Sequence, residues 1–243
     1  MHLLRRAITI GAIGAVAVGA WAMASPAAPH SPRGRALDPS KFVAHVTNPF
    51  FPLKPGTLWV YRGIKDGKTQ IDRVFVTHST KTIEGVHATV VRDIARQGGT
   101  VIERTFDWFA QDRQGNVWYL GEDTVEFLPN GTSSTEGSWE TGAHGAVPGI
   151  VMEGDPKVAD GYRQEFWEGH AEDQAWILAR GGSIHVPLGT LHRVLKTLEW
   201  SPLSRRSSTR RSTSEASGSS ASGLRRALWK QRCWSASTGR ARR

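Results

Sequence analysis

Short runs in which apolar and polar residues alternate follow one another along most of the chain. Three of them lie at 57–62, 71–77 and 87–93, and each is rich in β-branched or aromatic residues. Alternation with a period of two is typical of a β-strand that buries one face. No segment beyond the first 24 residues carries a sustained apolar stripe with helical spacing. The pattern therefore predicts a protein built from β-strands.

Turn residues between the runs indicate hairpins rather than helical crossovers. Asp66-Gly67 is a hairpin signal, and Gly98-Gly99 and Pro129-Asn130-Gly131 divide later runs. Further strands are predicted at 101–111, 117–120, 124–128, 162–178, 183–186 and 191–200. About eight or nine strands at this spacing predict one all-β domain, a single curved antiparallel sheet or half-barrel, because such a sheet curls or closes to protect its edges.

Two segments depart from the strand pattern. The segment 48–56 contains three prolines, which cannot donate to a β-ladder, so we expect it to lie across an open edge or barrel end. The segment 133–156 is glycine-rich and longer than ordinary connections, which leaves open a functional loop or a cap over the sheet. Trp139 is an isolated large ring within it, and we expect this ring to anchor the loop over the sheet.

The first residues predict export. Arg5 and Arg6 precede an apolar run at 7–20 and the small residues of Ala22-Met23-Ala24, which is the pattern of a cleaved signal peptide at 1–24. The run is too short to be a convincing transmembrane helix, and an uncleaved anchor is the alternative. We expect a secreted or cell-envelope protein with a flexible lead-in at 25–47 and an antiparallel β domain at 48–203. An uncleaved signal segment would be its only link to a membrane.

The net charge of +9 belongs to the end of the chain. Residues 204–243 hold 11 Lys and Arg against one acidic residue, Glu215, whereas residues 25–203 hold 18 basic and 21 acidic residues. We therefore do not expect the β domain to bind nucleic acid. Cys233 is the only cysteine, so no intrachain disulfide can form.

The abrupt change in composition at Ser204 has two interpretations. One is a genuine basic, low-complexity tail at 204–243. The other is a frameshift, because codons regrouped from the third base of one residue and the first two of the next turn each TCN serine codon into one for Phe, Leu, Ile or Val. The serine-free stretch 228–234 also yields a plausible strand in the shifted frame. We favour the frameshift, since it explains the break in composition.

Candidate metal ligands lie in the predicted strand 162–178. Glu168, His170 and Glu172 alternate there and would share one face, and carboxylate with imidazole suits Zn²⁺ or non-haem iron. Three ligands on one strand span roughly 13 Å, which favours a solvated polar face instead. A secreted hydrolase or metal-binding protein that uses the acidic and histidine residues near 165–173 is the alternative function.

Other chemical motifs are weak. Glu122-Asp123, and Asp107 with Asp112, are acidic pairs that would suit acid–base chemistry or Ca²⁺, although the segment 111–116 favours a tight turn. The sequence has no G-x-S-x-G motif and no phosphate-binding glycine loop. We expect no cofactor, name no catalytic residue and favour a protein that is not an enzyme.

Aromatic residues occur on nearly every predicted strand. Most aromatic rings fill cores, but a half-barrel that exposes some of them on its concave face would hold an apolar or sugar-like ligand. Trp59 and Tyr61 share one face of their strand. The candidate ligand-binding residues are Trp59, Tyr61, Trp118, Trp139 and Trp167.

Four segments carry a family resemblance: NPFFPLKPGTLWVYRG, DWFAQDRQGNVWYLGEDT, GSWETGAHGAVPGI and LKTLEWSPL. Between about Asn48 and Leu203 the chain resembles an uncharacterised family of exported bacterial all-β proteins. The resemblance implies a curved antiparallel half-barrel, loosely similar to lipoprotein-carrier and lipocalin-like folds, and implies no activity. We expect an exported, non-enzymatic binding protein that holds an apolar small molecule or a cell-envelope component against its curved sheet.

Overall fold

The computed structural model describes residues 37–65 and 67–203. The predicted signal peptide, most of the predicted lead-in and the basic tail lie outside these residues. In the part of the chain that is described, no helix is long and apolar enough to span a membrane.

The described residues form fifteen β-strands and one 3-10 helix, Pro39–Lys41. The all-β class and the curved antiparallel sheet predicted from the sequence are confirmed. The strands are β1 (Phe42–Val43), β2 (Leu58–Lys65), β3 (Lys68–Ile83), β4 (Val86–Gln97), β5 (Thr100–Asp112), β6 (Val117–Phe127), β7 (Ser133–Ser134), β8 (Trp139–Glu140), β9 (Val147–Met152), β10 (Gly161–Arg163), β11 (Glu165–Phe166), β12 (Gln174–Arg180), β13 (Ser183–Val186), β14 (Gly189–His192) and β15 (Leu195–Trp200).

The largest sheet is a half-barrel with the strand order β11-β9-β6-β5-β4-β3-β2. From β2 to β6 each strand pairs with the next through a hairpin, as the turn residues predicted. One row of directly opposed residues, Trp59, Val74, Asp93, Thr105 and Thr124, crosses all five strands. These residues therefore lie on the same face, which is the inner face of the half-barrel.

Two smaller sheets complete the described structure. Strands β10, β12 and β15 form a three-stranded sheet in that order, and β13 pairs with β14. Glu199 of β15 lines the same cavity as Trp59 of β2. The three-stranded sheet therefore contributes a side chain to the cavity of the half-barrel.

The two faces of the half-barrel carry separate apolar clusters. The inner cluster includes Val76, Val91 and Phe109, and the outer cluster includes Trp108 and Leu120. Phe109 and Trp108 are neighbours on β5, so the alternation of the strand sends them to opposite faces. The same strands thus supply both clusters.

The predicted lead-in joins the domain earlier than expected. Strand β1 pairs with β5 through Phe42↔Asp112 and Val43↔Gln111, and Val46 is buried. Two backbone pairs and a buried valine therefore place residues of the predicted lead-in against the half-barrel from Phe42 onward.

The proline-rich segment is held by the amide of Asn48. Its Nδ2 donates hydrogen bonds to the carbonyl oxygens of Gly115 and Glu153, each at 2.9 Å, and its backbone N–H donates to Gln111 Oε1 at 2.8 Å. Asn48 is itself buried, so these bonds are shielded from water. Phe51 follows it and enters the inner cluster.

Two regions differ from the sequence predictions. The glycine-rich segment 133–156 contains β7, β8 and β9 rather than a continuous loop. The predicted single strand at 162–178 is wrong: β10 and β11 are followed by a turn, and only then by β12. Gly169 adopts a φ of +78° in that turn, and Trp167 bridges to Ala171 around it. A glycine in the left-handed backbone region reverses the chain where a continuous strand was expected.

Candidate ligand-binding cavity

A cavity of about 150 Å³ lies against the inner face of the half-barrel. Strands β2 to β6 provide most of its wall, and Val151 and Gln164 contribute from β9 and from the residue between β10 and β11. The alternation of each strand determines which residues reach it, because only every second side chain points inward.

Aromatic rings form much of the wall. Phe51 meets Phe109 edge-on with 5.2 Å between ring centroids, and Phe109 stacks on Tyr119 at 4.8 Å. These three residues belong to the inner cluster, whereas Trp59 and Tyr61 are only half-buried and pack against it from β2. Packed rings therefore close one side of the cavity. The other side carries two rings that remain partly exposed.

Carboxyl groups occupy the middle of the same wall. Five acidic side chains line the cavity, and Lys65 is the one basic residue among its lining residues. Asp107 of β5 stands directly opposite Glu122 of β6. The register therefore brings carboxyl groups of two neighbouring strands to the same part of the wall. The acidic residues are Asp93, Glu103, Asp107, Glu122 and Glu199.

Hydrogen bonds hold several of the polar wall residues in place. The Tyr119 hydroxyl lies 2.5 Å from Asp107 Oδ1 and donates to it. The Thr105 and Thr124 hydroxyls are 2.7 Å apart across β5 and β6. Gln164 is 1 % exposed, and its Oε1 has no hydrogen-bond partner among the described residues. A buried acceptor without a donor is unfavourable, so this amide oxygen is a local cost to stability.

A second acidic group lies beside the cavity. Burial, together with the nearby Asp160 carboxylate, raises the pKa of Glu153 from 4.5 to about 7, and Lys157 partly opposes the change. Burial also raises the pKa of Tyr162 well above its usual value, helped by the charges of Glu199 and Glu153. Glu153 therefore changes charge near neutral pH, and Tyr162 remains a neutral phenol there.

The structure brings two of the five predicted ligand-binding residues to the cavity, Trp59 and Tyr61. Trp118 packs against the outer cluster, and its Nε1 donates to Asp112 at 2.8 Å. Trp139 is buried in the inner cluster and donates to Glu165 at 3.1 Å. Its ring contacts Tyr119 edge-on at 5.4 Å, so it supports the wall from behind.

Trp167 and the candidate metal ligands lie away from the cavity. The Trp167 ring stacks on His170 with 3.9 Å between centroids. Glu168 is exposed, and Glu172 accepts a hydrogen bond from the Gly169 N–H at 2.8 Å. No group of three His, Cys, Asp or Glu side chains that could hold a metal ion occurs among the described residues. His170 and Glu172 instead make contacts within the turn around Gly169.

The sequence analysis missed Asp93, Glu103, Glu199 and Gln164 as wall residues. A signal for one of them is present on β5, where Glu103, Thr105 and Asp107 alternate with the opposite face. Three polar residues in successive inward positions are unusual for a strand whose next inward residue, Phe109, is core. The alternation on β5 could have indicated a polar interior. Only the register between the strands shows that Asp93 and Glu122 lie beside these residues.

Comparison with known proteins adds no functional information. No family model, no curated protein and no solved structure matches the chain. The resemblance to a family of exported bacterial proteins therefore stays a prediction, and function has to be argued from the cavity.

Proposed function

We propose that this chain is an exported, non-enzymatic binding protein that holds an apolar small molecule in the cavity of its half-barrel. The observation that carries the proposal is the pair of half-buried rings, Trp59 and Tyr61, which line a cavity whose wall otherwise combines packed aromatic side chains with polar groups. Ligand sites are concave, mostly apolar and furnished with a few polar groups that fix orientation. Export rests on the signal-peptide pattern of residues 1–24.

The size of the cavity indicates the size of the ligand. An apolar cavity of about 150 Å³ in another protein is known to accept a single benzene ring. The cavity here has a similar volume. A ligand that places one ring or a short alkyl group inside, with the remainder extending past Trp59 and Tyr61, fits this space.

The edge strand β2 offers a matched test of the proposal. Trp59 and Tyr61 point inward, whereas Val60 between them points outward and is 55 % exposed. Replacing Trp59 removes cavity wall, and replacing Val60 changes the same strand without touching the cavity. A ring contact contributes about 0.5–1.5 kcal/mol beyond its area, which corresponds to roughly a two- to tenfold change in affinity.

The experiment is a titration of the exported chain with 2-phenylethanol, a neutral single-ring probe, followed through the NMR signals of the tryptophan indole N–H groups. We expect saturable shifts that are largest for Trp59, weaker binding by Trp59→Ala and unchanged binding by Val60→Ala. Absence of saturable shifts, or equal weakening by the two substitutions, would overturn the proposal.

A further inference from the structure

A charged patch occupies the part of the outer face that lies beyond the cluster around Trp108. Three rows of directly opposed residues cross it, and each row mixes arginine with apolar side chains. Their neighbours along the strands, such as Trp59 and Asp93, line the cavity, so these rows face outward. The rows are Leu58, Phe75, Arg92, Phe106 and Asp123; Val60, Arg73, Ile94, Arg104 and Val125; and Arg62, Ile71, Arg96 and Val101. We call these residues, with Ile64 of β2, the arginine patch.

The positive charge of the arginine patch is not neutralised. All five arginines are exposed, and none forms an ion pair with a carboxylate in the part of the chain that the structure describes. Arg92 lies over the Phe75 ring at 5.5 Å, and Arg96 donates to the Gly99 carbonyl oxygen at 3.0 Å. Neither contact compensates a charge. Asp123 is the single acidic residue of the three rows, so the patch is strongly positive although residues 25–203 as a whole are slightly acidic.

Apolar side chains of the arginine patch reach solvent on the edge strand β2. Ile64 is 81 % exposed and Val60 is 55 % exposed, and Leu58 is also exposed. The aliphatic stems of arginines cover apolar neighbours, which accounts for half-buried residues such as Phe75 and Ile94 in the middle of the patch. That explanation does not extend to β2, which has a paired strand on one side only. Exposed apolar residues that are grouped in this way mark an interaction surface.

From the charge and the apolar exposure together we infer that the arginine patch docks on the surface of an anionic lipid bilayer. The guanidinium groups would contact headgroup phosphates, and the aliphatic side chains of β2 would enter the boundary of the acyl chains. Surfaces of this kind bind membranes through the sum of electrostatic attraction and apolar burial. Arginine also matches the geometry of phosphate oxygens. This contact is separate from the cavity and from the predicted signal segment.

The chemistry of the exposed apolar residues favours lipid over nucleic acid. Proteins that bind single strands stack bases on aromatic rings. Leu58, Val60 and Ile64 carry no ring, and they are the most exposed apolar side chains of the three β2 positions and their rows. Branched aliphatic groups insert among acyl chains but offer a base no stacking surface.

The charge of the chain itself argues against two other occupants. Residues 1–36 contain four arginines and no acidic residue, and residues 204–243 hold 11 basic residues against one acidic residue. Neither segment carries the negative charge that the arginine patch requires. A second copy paired along β2 would place two positive patches side by side, and like charges at such short range repel.

The test is sedimentation of the full chain with vesicles of phosphatidylcholine alone and with vesicles of phosphatidylcholine mixed equally with phosphatidylglycerol. We expect binding to the mixed vesicles to be at least about tenfold tighter than binding to phosphatidylcholine, because the arginines need anionic headgroups. Raising the salt concentration from about 0.1 M to about 0.5 M should weaken it through screening.

A matched pair of double variants separates the arginine patch from the overall charge. Arg73→Gln with Arg104→Gln removes two charges from the patch, whereas Arg193→Gln with Lys196→Gln removes two exposed charges near β15. Each arginine at an anionic surface contributes roughly a fivefold change in affinity, so the patch variant should bind mixed vesicles on the order of twentyfold more weakly. The control variant should bind like the wild type, and both should bind 2-phenylethanol like the wild type.

A second matched pair tests the apolar part. Ile64→Ala shortens the most exposed side chain of the arginine patch, and Leu188→Ala shortens a side chain that is 70 % exposed outside it. We expect Ile64→Ala to weaken vesicle binding on the order of fivefold and Leu188→Ala to leave it unchanged.

Every other outcome overturns the proposal. Equal weakening by the two double variants would show that net charge, including that of residues 204–243, attracts the chain to vesicles without a defined surface. Loss with Arg73→Gln and Arg104→Gln but not with Ile64→Ala, together with tighter binding to duplex DNA than to mixed vesicles, would assign the patch to nucleic acid. A lipid-free dimer that Ile64→Ala dissociates would assign it to a second copy.

Discussion

The two faces of strands β4 to β6 differ sharply although they are built from alternating residues of the same segments. On the outer face, Val86, Ala88 and Leu120 are at most 1 % exposed and pack around Trp108. On the inner face the same strands present carboxyl groups to a cavity. The outer face around Trp108 is apolar and closed, which stabilises the sheet. The inner face leaves space and charge at positions where core side chains would have been more stable.

Trp108 is the centre of the outer face. The Lys81 ammonium lies 3.4 Å from the centroid of its ring and forms a 2.7 Å ion pair with Glu140. Both charged side chains are partly exposed, so the ion pair itself contributes little. The stability of this face therefore comes from apolar burial. Substitutions that remove a ring from each face compare how much burial contributes to stability on the two sides.

The largest effect is expected from Trp108→Ala. Loss of a buried tryptophan costs about 3–5 kcal/mol of unfolding free energy. The matched inner-face change, Trp59→Ala, removes a half-buried ring at a cavity and should cost only about 1 kcal/mol. Urea denaturation of both variants measures the difference. Equal losses would contradict the view that the outer face carries the stability.

A smaller effect is expected where the inner wall approaches another backbone. A Cβ at Gly149 would overlap the backbone of Gln164 and Glu165, whereas a Cβ at Gly63 would meet nothing within 4 Å. Gly149→Ala should cost about 1–3 kcal/mol because the two strands must separate, and the movement displaces Gln164 from the wall.

Gly63→Ala is the control for that substitution and should leave stability nearly unchanged. Thermal unfolding of the two variants, with the 2-phenylethanol titration run in parallel, tells whether Gly149 positions the wall. If Gly149→Ala unfolds like Gly63→Ala, then the close approach of β9 to Gln164 does not constrain the site.

The smallest effect concerns pH and lies beside the cavity. The pKa of Glu153 is raised to about 7, so the folded protein favours its protonated form. Its contribution to stability is therefore complete below about pH 4.5 and is lost as the pH rises through about 7. Glu153→Gln should remove this dependence, and Trp108→Ala should retain it.

Melting temperatures of the three proteins between about pH 4.5 and 8 check this expectation. Asp160, Asp155 and Lys157 are the other charged groups that act on Glu153, and they remain in each variant. A wild-type profile that rises across the window instead of falling would show that another group controls the pH dependence.

Sequence alternation predicted the strands but could not place Glu122 on the inner face. Tyr119 and Glu122 are three positions apart, and strict alternation would send them to opposite sides. The register between β5 and β6 shifts after Trp108, which pairs with Gly121, whereas Phe109 pairs with Tyr119. This bulge inserts Leu120 as an extra residue and returns Glu122 to the cavity.

Gly121 makes the bulge possible. Its φ is +135°, and a Cβ there would overlap the Trp139 carbonyl and approach Glu140 and Trp108. Strand β8 contributes these contacts, and it lies in the segment that the sequence indicated as a glycine-rich loop. The register shift between β5 and β6 therefore depends on a contact between segments that are distant in sequence. The local pattern of residues cannot reveal such a contact.

The sequence predicted residues of the candidate site only where they lie on the same strand. Trp59 and Tyr61 were selected because they share a face of β2, and both line the cavity. Glu168, His170 and Glu172 were grouped on the assumption of a continuous strand, which the turn at Gly169 interrupts. The glycine is visible in the sequence, but an isolated glycine is compatible with a strand bulge as well as a turn.

The bonds of Asn48 also impose an order on folding. Strands β2 to β6 are joined by successive hairpins, so their contacts are short-range and can form one after another. The amide of Asn48 instead joins positions 67 and 105 residues away along the chain, at Gly115 and Glu153. The segment is made before β2 yet can complete these bonds only after β9 has been made. Its three prolines restrict its backbone in the meantime, so a segment that helps to complete the interior is made well before its last partner.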